Sequence, residues 1–430
     1  MNYYGVIGNR DHIKILGEKR PYWEFLDRQP DGWLSSLTYK RHDLPKSRPL
    51  IMDCGAWSYK NQEVPPVTAE SVVPEYIELV DHGAMLIAPD HMLIDGVDHE
   101  ARRRWNREQA LRFLDVCPDG YLPMATIHGQ SLDERLEHAD ALMQAGYRHL
   151  AVGGVAARAS QRKTVLAIVA ALREVTRGAW LHVLGLSSPS FAREWKRLGV
   201  DSFDGSSHFK QAFTGGAFFT VEGSKLSKHQ AVRPGESVDH LPSCDCSACL
   251  VLREHGIDTR SYGSNENNMG RAAHNQNMLM RAQQSAVQFK IGLVACSGDK
   301  RHGRHRAADL YQSTLFRKSR EYAEKNCDIW FILSARHGLV RPDDQIESYD
   351  QTLNEMPMAQ RKEWSARVRQ QLHPYQGDDI VVLAGNRYCE WTDGFKVTRP
   401  MQGMGIGQQL QWLTLQNKET QYEGDQGLLI

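Results

Sequence analysis

Cys244, Cys246 and Cys249 put three of the chain's eight thiols within the run CDCSACL. Thiolates on a C-x-C-x-x-C spacing bind zinc, and a fourth donor closes the tetrahedron. His274, in AAHNQNML, is the candidate fourth ligand, with His240 and His255 as alternatives. Three thiolates and an imidazole leave no coordination position for a substrate or an activated water, so Zn2+ held here would be structural.

A second pattern is carboxylate chemistry. Asp53 ends the apolar run LIMD and is followed by CGA; Asp204 ends DSFD and is followed by GSS. Glycine just beyond each lets the chain turn sharply. Two carboxylates facing each other across a cleft suit cleavage at an anomeric carbon, one as nucleophile and the other as proton carrier. Each taken singly is also a common cap or turn former. Trp57, in the loop after Asp53, could stack on a flat heterocycle. Asp90, ending LIAPD, could accept from the N–H and amino groups of a guanine-like edge. His128 follows ATI, and Gly153 and Gly154 end HLAVGG with bare backbone against which a planar ligand fits. The plain readings of these residues are a core tryptophan, a capping aspartate, a surface histidine and a helix-entry glycine pair.

These residues need elements to hold them. Candidate strands lie at 3–8, 50–54, 84–90, 121–127, 149–154, 179–185 and 200–204, separated by stretches such as AESVVPEYIELVDHG and LDERLEHADALMQAG, in which apolar residues recur at helical spacing. Alternating strands and helices predict parallel strands with crossover helices. So many units in about 250 residues predict a (β/α)8 TIM barrel rather than a doubly wound open sheet. Seven strands are legible; FFTVEG (218–223) reads as half of a hairpin, and the eighth is not evident. On that barrel the functional candidates share one location, the C-terminal ends of the strands. The run 265–277 is polar and Asn-rich, and the chain then becomes helical at MLMRAQQSAVQF, with His274 in a helix-like segment whose neighbouring face is apolar.

Composition sets outer limits. The 430 residues suffice for two domains, and 52 basic side chains balance 52 acidic ones, so no global field points to a polyanion or a membrane. No apolar stretch has the length of a signal peptide or a membrane span, which predicts a cytoplasmic protein with reduced thiols. Cys117, Cys327 and Cys389 are read as core residues.

Taken together, residues 1–286 resemble the queuine/archaeosine tRNA-guanine transglycosylases, and more closely the DNA-acting branch, the 7-deazaguanine DNA transglycosylases. MDCGAWS is similar to the family's D-S-G-G-F-Q stretch, VDSFDG to D-x-F-D-C, IHGQ to I-V-Q-G and LAVGG to A-I-G-G. C-D-C-S-A-C followed by H-N matches its zinc pattern in spacing and order. The resemblance implies a zinc-bearing TIM barrel with a zinc subdomain over about 212–286. It implies Asp204 as nucleophile, Asp53 as general acid/base, Trp57 as the stacking aromatic and Asp90 as reader of the guanine edge. It puts His128 where a base-reading glutamine stands, Gly153 and Gly154 against the base, and His182, in LHVLG, as the other stacking side chain. His274 becomes the fourth metal ligand. The implied reaction replaces guanine in DNA by a free 7-deazaguanine such as 7-cyano-7-deazaguanine, through a covalent aspartyl–deoxyribose intermediate, with guanine as product. The chain departs from the tRNA enzymes where they carry P-T-R-x-G-R: it reads SSHFKQA. Cys54 and Ala56 also replace a serine and a glycine. These departures favour DNA over tRNA. A tRNA-guanine transglycosylase, a hydrolysing glycosidase and a non-catalytic zinc-stabilised nucleic-acid scaffold are the competing readings.

Beyond residue 287 a new series of strands and helices begins, predicting a smaller three-layer α/β domain over 288–430. Its runs ACSGDK, LSARHGLV, YDQTL and GNRY resemble the family DUF6884. Within it, KRHGRHR offers Lys300, Arg301, Arg304 and Arg306 to a phosphate backbone, or forms a solvated loop. Cys296, beside Lys300, is either reactive or a structural thiol.

Overall fold

A computed structural model describes residues 1–9, 11–233 and 235–426, with side chains through residue 418. The chain divides into two compact units, Met1–Val287 and Gln288–Ile430.

In the first unit eight parallel strands close into a barrel in chain order: β1 (Asn2–Ile7), β2 (Gly32–Ser36), β3 (Leu50–Asp53), β4 (Met85–Ile87), β5 (Leu122–Ile127), β6 (His149–Val152), β7 (Trp180–Val183) and β8 (Ser202–Asp204), with β8 pairing back to β1. The strand missing from the sequence reading is β2. Strand–helix alternation hides it, because neither neighbouring connection contains an α-helix; an antiparallel hairpin (His12–Ile15 with Glu18–Pro21) and single 3-10 turns stand there instead. From β3 onward the crossovers are helical: α1 (Ala69–Leu79), α2 (His99–Val116), α3 (Leu132–Ala145), α4 (Arg162–Val175) and α5 (Pro189–Leu198), and α6 (Ser207–Thr214) follows β8. Their starts follow from sequence. Thr68 and Ser131 each form a reciprocal capping box with the residue three positions on, and Ser188 caps α5 ahead of Pro189.

Side chains alternate along each strand, so positions of one parity fill the barrel. Tyr4, Leu34, Ile51, Met85, Ile87 and Met124 make this inner cluster, and Trp180 and Leu184 pack against it. By the same alternation Asp53 (two beyond Ile51) and His182 (between Trp180 and Leu184) face inward. Ser202 bonds to both Trp180 and His182 from inside, so Asp204 faces inward as well.

After α6 the hairpin β9 (Ala217–Glu222) with β10 (Lys225–Gln230) forms, as the sequence predicts. Two helices follow, α7 (Ser247–Glu254) and α8 (Asn265–Ala286). The polar run itself is helical: the helix begins at Asn265 rather than only after Asn277. It is buried over most of its length, from Met269 through Met280 without interruption. A helix buried all round shows no amphipathic stripe. Its polar side chains instead satisfy the backbones of other segments. Asn275 accepts from Phe219 N–H (2.9 Å) and donates to Ala217 O (2.8 Å). Asn277 accepts from Asp27 N–H (2.8 Å), and Arg271 donates to the carbonyls of Ala212, Thr259 and Ser261.

The second unit is built on a five-stranded sheet of β11 (Lys290–Ala295), β12 (Ile329–Ser334), β13 (Gly338–Val340), β14 (Asp379–Leu383) and β15 (Lys396–Thr398), ordered β13-β12-β11-β14-β15. All neighbours are parallel except β12 with β13. Hydrophobic clusters lie on both of its faces, with alternate residues of β11 (Leu293 and Val294) belonging to opposite ones. Among the described residues no helix is long and apolar enough to cross a membrane, and the eight cysteines are free thiols.

Asn275→Ala leaves the Phe219 N–H and Ala217 C=O buried without partners, which costs about 1–3 kcal/mol per group. Urea denaturation of this variant should show a lower midpoint, whereas exchange of an exposed residue of the same helix, such as Gln284→Ala, should not.

Candidate active site and metal centre

The C-terminal rim of the barrel gathers carboxylates from three places. Asp53 is the last residue of β3, Asp204 the last of β8, and Asp90 follows β4. One donor atom each of Asp53, Cys54 and Asp90 lie within 4.8 Å of one another. Removal from water raises the Asp53 carboxyl to about 7, aided by the negative charges of Asp90 and then Asp204 and opposed by the Gly55 N–H that donates to it at 2.9 Å. It therefore sits where a group can give and take a proton near neutrality. Gly55 adopts φ +88°, and a Cβ there would fall 2.2 Å from Thr38 Oγ1, so glycine is required for this contact.

Asp204 is held differently. Its Oδ1 accepts from Gly185 N–H at 2.8 Å and from His182 Nε2 at 3.2 Å. Trp180 Nε1–H donates to Ser202 Oγ (2.8 Å), leaving the Ser202 hydroxyl to donate to His182 Nδ1 (2.7 Å). The chain of donors sets the imidazole tautomer, with its remaining N–H aimed at Asp204. His182 is wholly buried, and its ring meets Tyr4 edge-on. Expected as a stacking side chain, it has both ring nitrogens engaged by Ser202 and Asp204 and so orients Asp204.

His128 and Asp90, nominated separately, form a pair: His128 Nε2 lies 2.8 Å from Asp90 Oδ2, both buried. The His128 N–H donates to His138 Nδ1 (3.1 Å), and burial, with His128 nearby, pushes His138 down to about 4, so it stays neutral. Two residues that the sequence did not single out for a role support Asp90. Cys54 Sγ lies 3.2 Å from Asp90 Oδ1 and from the Tyr59 hydroxyl, and Tyr59 donates to the Asp90 carbonyl at 3.1 Å. Cys54 was visible only as a departure from a serine; Tyr59 carried no signal. Trp57 is 69% exposed, with the Lys60 ammonium 3.2 Å from its ring centroid. At Gly153 a Cβ would meet Thr126 Cγ2 at 2.6 Å, and the Gly153 carbonyl accepts from buried Arg135 at 2.8 Å. The bare backbone there is thus demanded by the barrel itself; Gly154 follows with φ +71°.

Away from the rim, Cys244, Cys246, Cys249 and His274 converge, one donor atom of each within 4.8 Å of the others; His240 and His255 are not in the group. His274 Nδ1 stands 3.4 Å from Cys246 Sγ and 3.3 Å from Cys249 Sγ. A tetrahedral zinc with Zn–S of about 2.3 Å and Zn–N of about 2.0 Å separates such atoms by roughly 3.5 Å. His274 Nε2–H donates to Phe219 O (2.7 Å), which leaves the Nδ1 lone pair facing the thiols, and Phe218 stacks on the ring at 3.9 Å. The four residues fit a metal ion.

The cationic run of the second unit is not a uniform patch. Arg306 is paired with Asp309 and Asp343, and Lys300 lies over the Tyr349 ring. Arg301 and Arg304 are exposed.

Comparison with known proteins follows these two units. Residues 99–275 match the family described as queuine tRNA-ribosyltransferase, and 291–415 match DUF6884, a family of unknown function. A DNA-guanine transglycosylase of Salmonella montevideo is 28% identical over 186 residues, covering 40% of this chain and 43% of that protein. A queuine tRNA-ribosyltransferase of Azotobacter vinelandii is 24% identical over 168 residues, 38% of this chain and 45% of its own length. An uncharacterized protein of Bacillus subtilis, YfjM, is 36% identical over 91 residues, 19% of this chain and 57% of its own. The chain thus spans about half the length of the curated relatives it matches.

Burial that raises the Asp53 pKa also sets a sign for stability. Between about pH 4 and pH 7 the folded state holds a proton that the unfolded chain has lost, so this group makes stability fall as pH rises through that window. Asp53→Asn removes the effect. It should be more stable than the parent at pH 8, by on the order of 2 kcal/mol with water at the rim screening the charge, with a correspondingly higher melting temperature, and should match the parent at pH 4. An equal difference at both pH values would contradict the burial of the charge.

Proposed function

We propose that this chain, whose barrel belongs to the tRNA-guanine transglycosylase superfamily and whose second unit belongs to the DUF6884 family, exchanges guanine in DNA for a 7-deazaguanine base. The observation that carries the reading is the division of labour between two inward-facing carboxylates on one rim. Asp204 is oriented by His182 and Gly185, and Asp53 is raised to about 7.

In the first half-reaction the Asp204 carboxylate attacks C1′ of a deoxyguanosine. The C1′–N9 bond breaks, and the departing guanine takes the proton held by Asp53. An ester now joins Asp204 to the sugar. In the second half an incoming 7-deazaguanine gives its proton to Asp53, its nitrogen attacks C1′, and Asp204 leaves as carboxylate. Two inversions restore the β-glycosidic bond, and each proton lost is regained. The target nucleotide must be flipped out or single-stranded, since a duplex hides the anomeric carbon. In this reading exposed Trp57 stacks on a base and the Asp90–His128 pair meets the guanine edge, with Cys54 and Tyr59 contacting Asp90. DNA as substrate is supported by the Salmonella relative's name and by SSHFKQA standing where the tRNA enzymes carry their arginine pair. The second reading, tRNA as substrate, rests on the match to the queuine tRNA-ribosyltransferase family.

The metal is proposed to be Zn2+, held by Cys244, Cys246, Cys249 and His274. When bound it supplies charge neutralisation and cross-linking. The residues themselves tie α7, α8 and β9 together, with Asp27 reaching in to accept from Ser247 N–H at 2.8 Å and from Arg281 at 2.8 Å.

Incubating the protein with labelled guanine and either DNA or tRNA should label DNA. Asp204→Asn should reduce incorporation by at least about a thousandfold while retaining the parent's melting temperature within a few degrees. Labelling of tRNA alone would select the second reading, and normal turnover by Asp204→Asn would exclude the nucleophile. Elemental analysis should find about one zinc per chain, and chelation should lower the melting temperature before exchange is lost. A metal-free protein of unchanged stability would contradict the structural role.

A further inference from the structure

The second unit has chemistry of its own at the carboxyl edge of its sheet. The chain passes from central β11 to β12 on one side and later to β14 on the other, so the loops leaving β11 and β14 part at a topological switch point. In open parallel sheets the crevice at such a point is where ligands bind. Five separate segments bring reactive or polar side chains to it. Cys296, the residue after β11, has its Sγ 3.2 Å from the hydroxyl of Tyr388, which lies in the turn following β14. Ser334, the last residue of β12, bonds to the Tyr349 hydroxyl at 2.7 Å, and Tyr349 to Tyr311 at 2.8 Å. Burial raises all three phenols, Cys296 adding to the effect, so they remain neutral.

The cations at this edge stand outside ion pairs. The Lys300 ammonium lies 4.6 Å from the Tyr349 ring centroid. Arg399, at the end of β15, donates to Asn386 Oδ1 (2.6 Å), and Arg387 donates to the Asn354 carbonyl. Among the described residues none of the three has a carboxylate partner, and Arg399 Nε is buried with no partner. The carboxylates on the same loops, Asp299 and Asp350, are exposed. The loop that follows Cys296 adds donors. The backbone N–H groups of Ser297, Gly298 and Asp299 have no hydrogen-bond partner among the described residues. A Cβ at Gly298 or at Gly385, on the facing loop, would meet nothing within 4 Å. Open space, free amides and unpaired cations together are the features of a phosphate cradle.

We propose that this crevice is a second ligand site, separate in residues from the barrel rim, that takes a phosphate-bearing ligand. Lys300 and Arg399 supply charge, the 297–299 amides supply hydrogen bonds, and the Cys296 thiol lies beside the bound group. The ACSGDK and GNRY runs are then two walls of one site. This assignment moves Lys300 away from a general basic patch and leaves Arg301 and Arg304 out of it.

Cys296 provides the readout. Its alkylation by iodoacetamide in the full chain is followed by peptide mass spectrometry, alone and with sodium pyrophosphate, GMP or a single-stranded oligodeoxynucleotide. At least one of the three should slow alkylation by about tenfold, and Lys300→Ala should abolish the protection without lowering the melting temperature, since one charge-assisted contact is worth about that factor. Protection by pyrophosphate or GMP marks a free ligand; protection by the oligonucleotide alone marks a nucleic-acid backbone as the phosphate source. An unchanged rate with all three probes, or protection that persists in both Lys300→Ala and Arg399→Gln, overturns the proposal. If the thiol reacts too slowly to follow, calorimetry with the same probes decides: binding that Lys300→Ala weakens about tenfold supports the site, and absence of binding, or equal binding by the variant, refutes it.

Discussion

A carboxylate partly withdrawn from water and set beside two others is the constraint on which the first unit turns. Asp53 at the end of β3 faces inward because Ile51 does, and closure of the barrel brings Asp90 and Asp204 to the same rim. In bulk water the three would ionise well below neutrality. At this rim their charges oppose one another, and the molecule resolves the conflict unequally. Asp53 is raised to about 7, while Asp204 receives two hydrogen bonds and Asp90 receives His128 and Cys54. Unequal environments make one carboxyl suited to carrying protons and another to bonding carbon, which is how a pair of like residues can take different roles.

Much of the remaining structure keeps that arrangement in register. A barrel strand end can hold a side chain within a few tenths of an ångström only if its neighbours are fixed, and here the fixing is done by buried donors with single acceptors. The Trp180–Ser202–His182 relay orients Asp204 from inside the barrel. On its flank α8 works by the same logic, with Asn275, Asn277 and Arg271 terminating the backbones of other segments. The same helix carries His274, so a metal held by the cysteine cluster would clamp α8 to α7 and, through Phe219, to the hairpin.

Much of this was legible in the sequence, for identifiable reasons. Short apolar runs ending in Asp-Cys-Gly or Asp-Gly marked β3 and β8 and the inward carboxylates at their ends. C-x-C-x-x-C marked the thiol cluster. Four things were not legible. The β2 strand lacks flanking α-helices, so the alternation that revealed the others passed over it. The polar stretch 265–277 has no apolar stripe because every side of that helix is covered, and its asparagines are paired rather than solvated. His182 sits on a strand position that reads the same whether or not its ring bonds to Asp204, and its Ser202 and Asp204 contacts come from another strand. Pairings such as His128–Asp90 and Cys54–Asp90 link loops tens of residues apart, and no local pattern announces them.

The central claim is that Asp204 bonds covalently to the sugar while Asp53 moves the proton. The most direct test is rapid denaturing quench of the protein with a guanine-containing single-stranded oligodeoxynucleotide and no acceptor base, followed by peptide mass mapping. The account predicts a peptide spanning Asp204 with the oligonucleotide attached through an ester and one equivalent of guanine released. Base exchange proceeding with no such adduct, or an adduct mapped to Asp53, would contradict it.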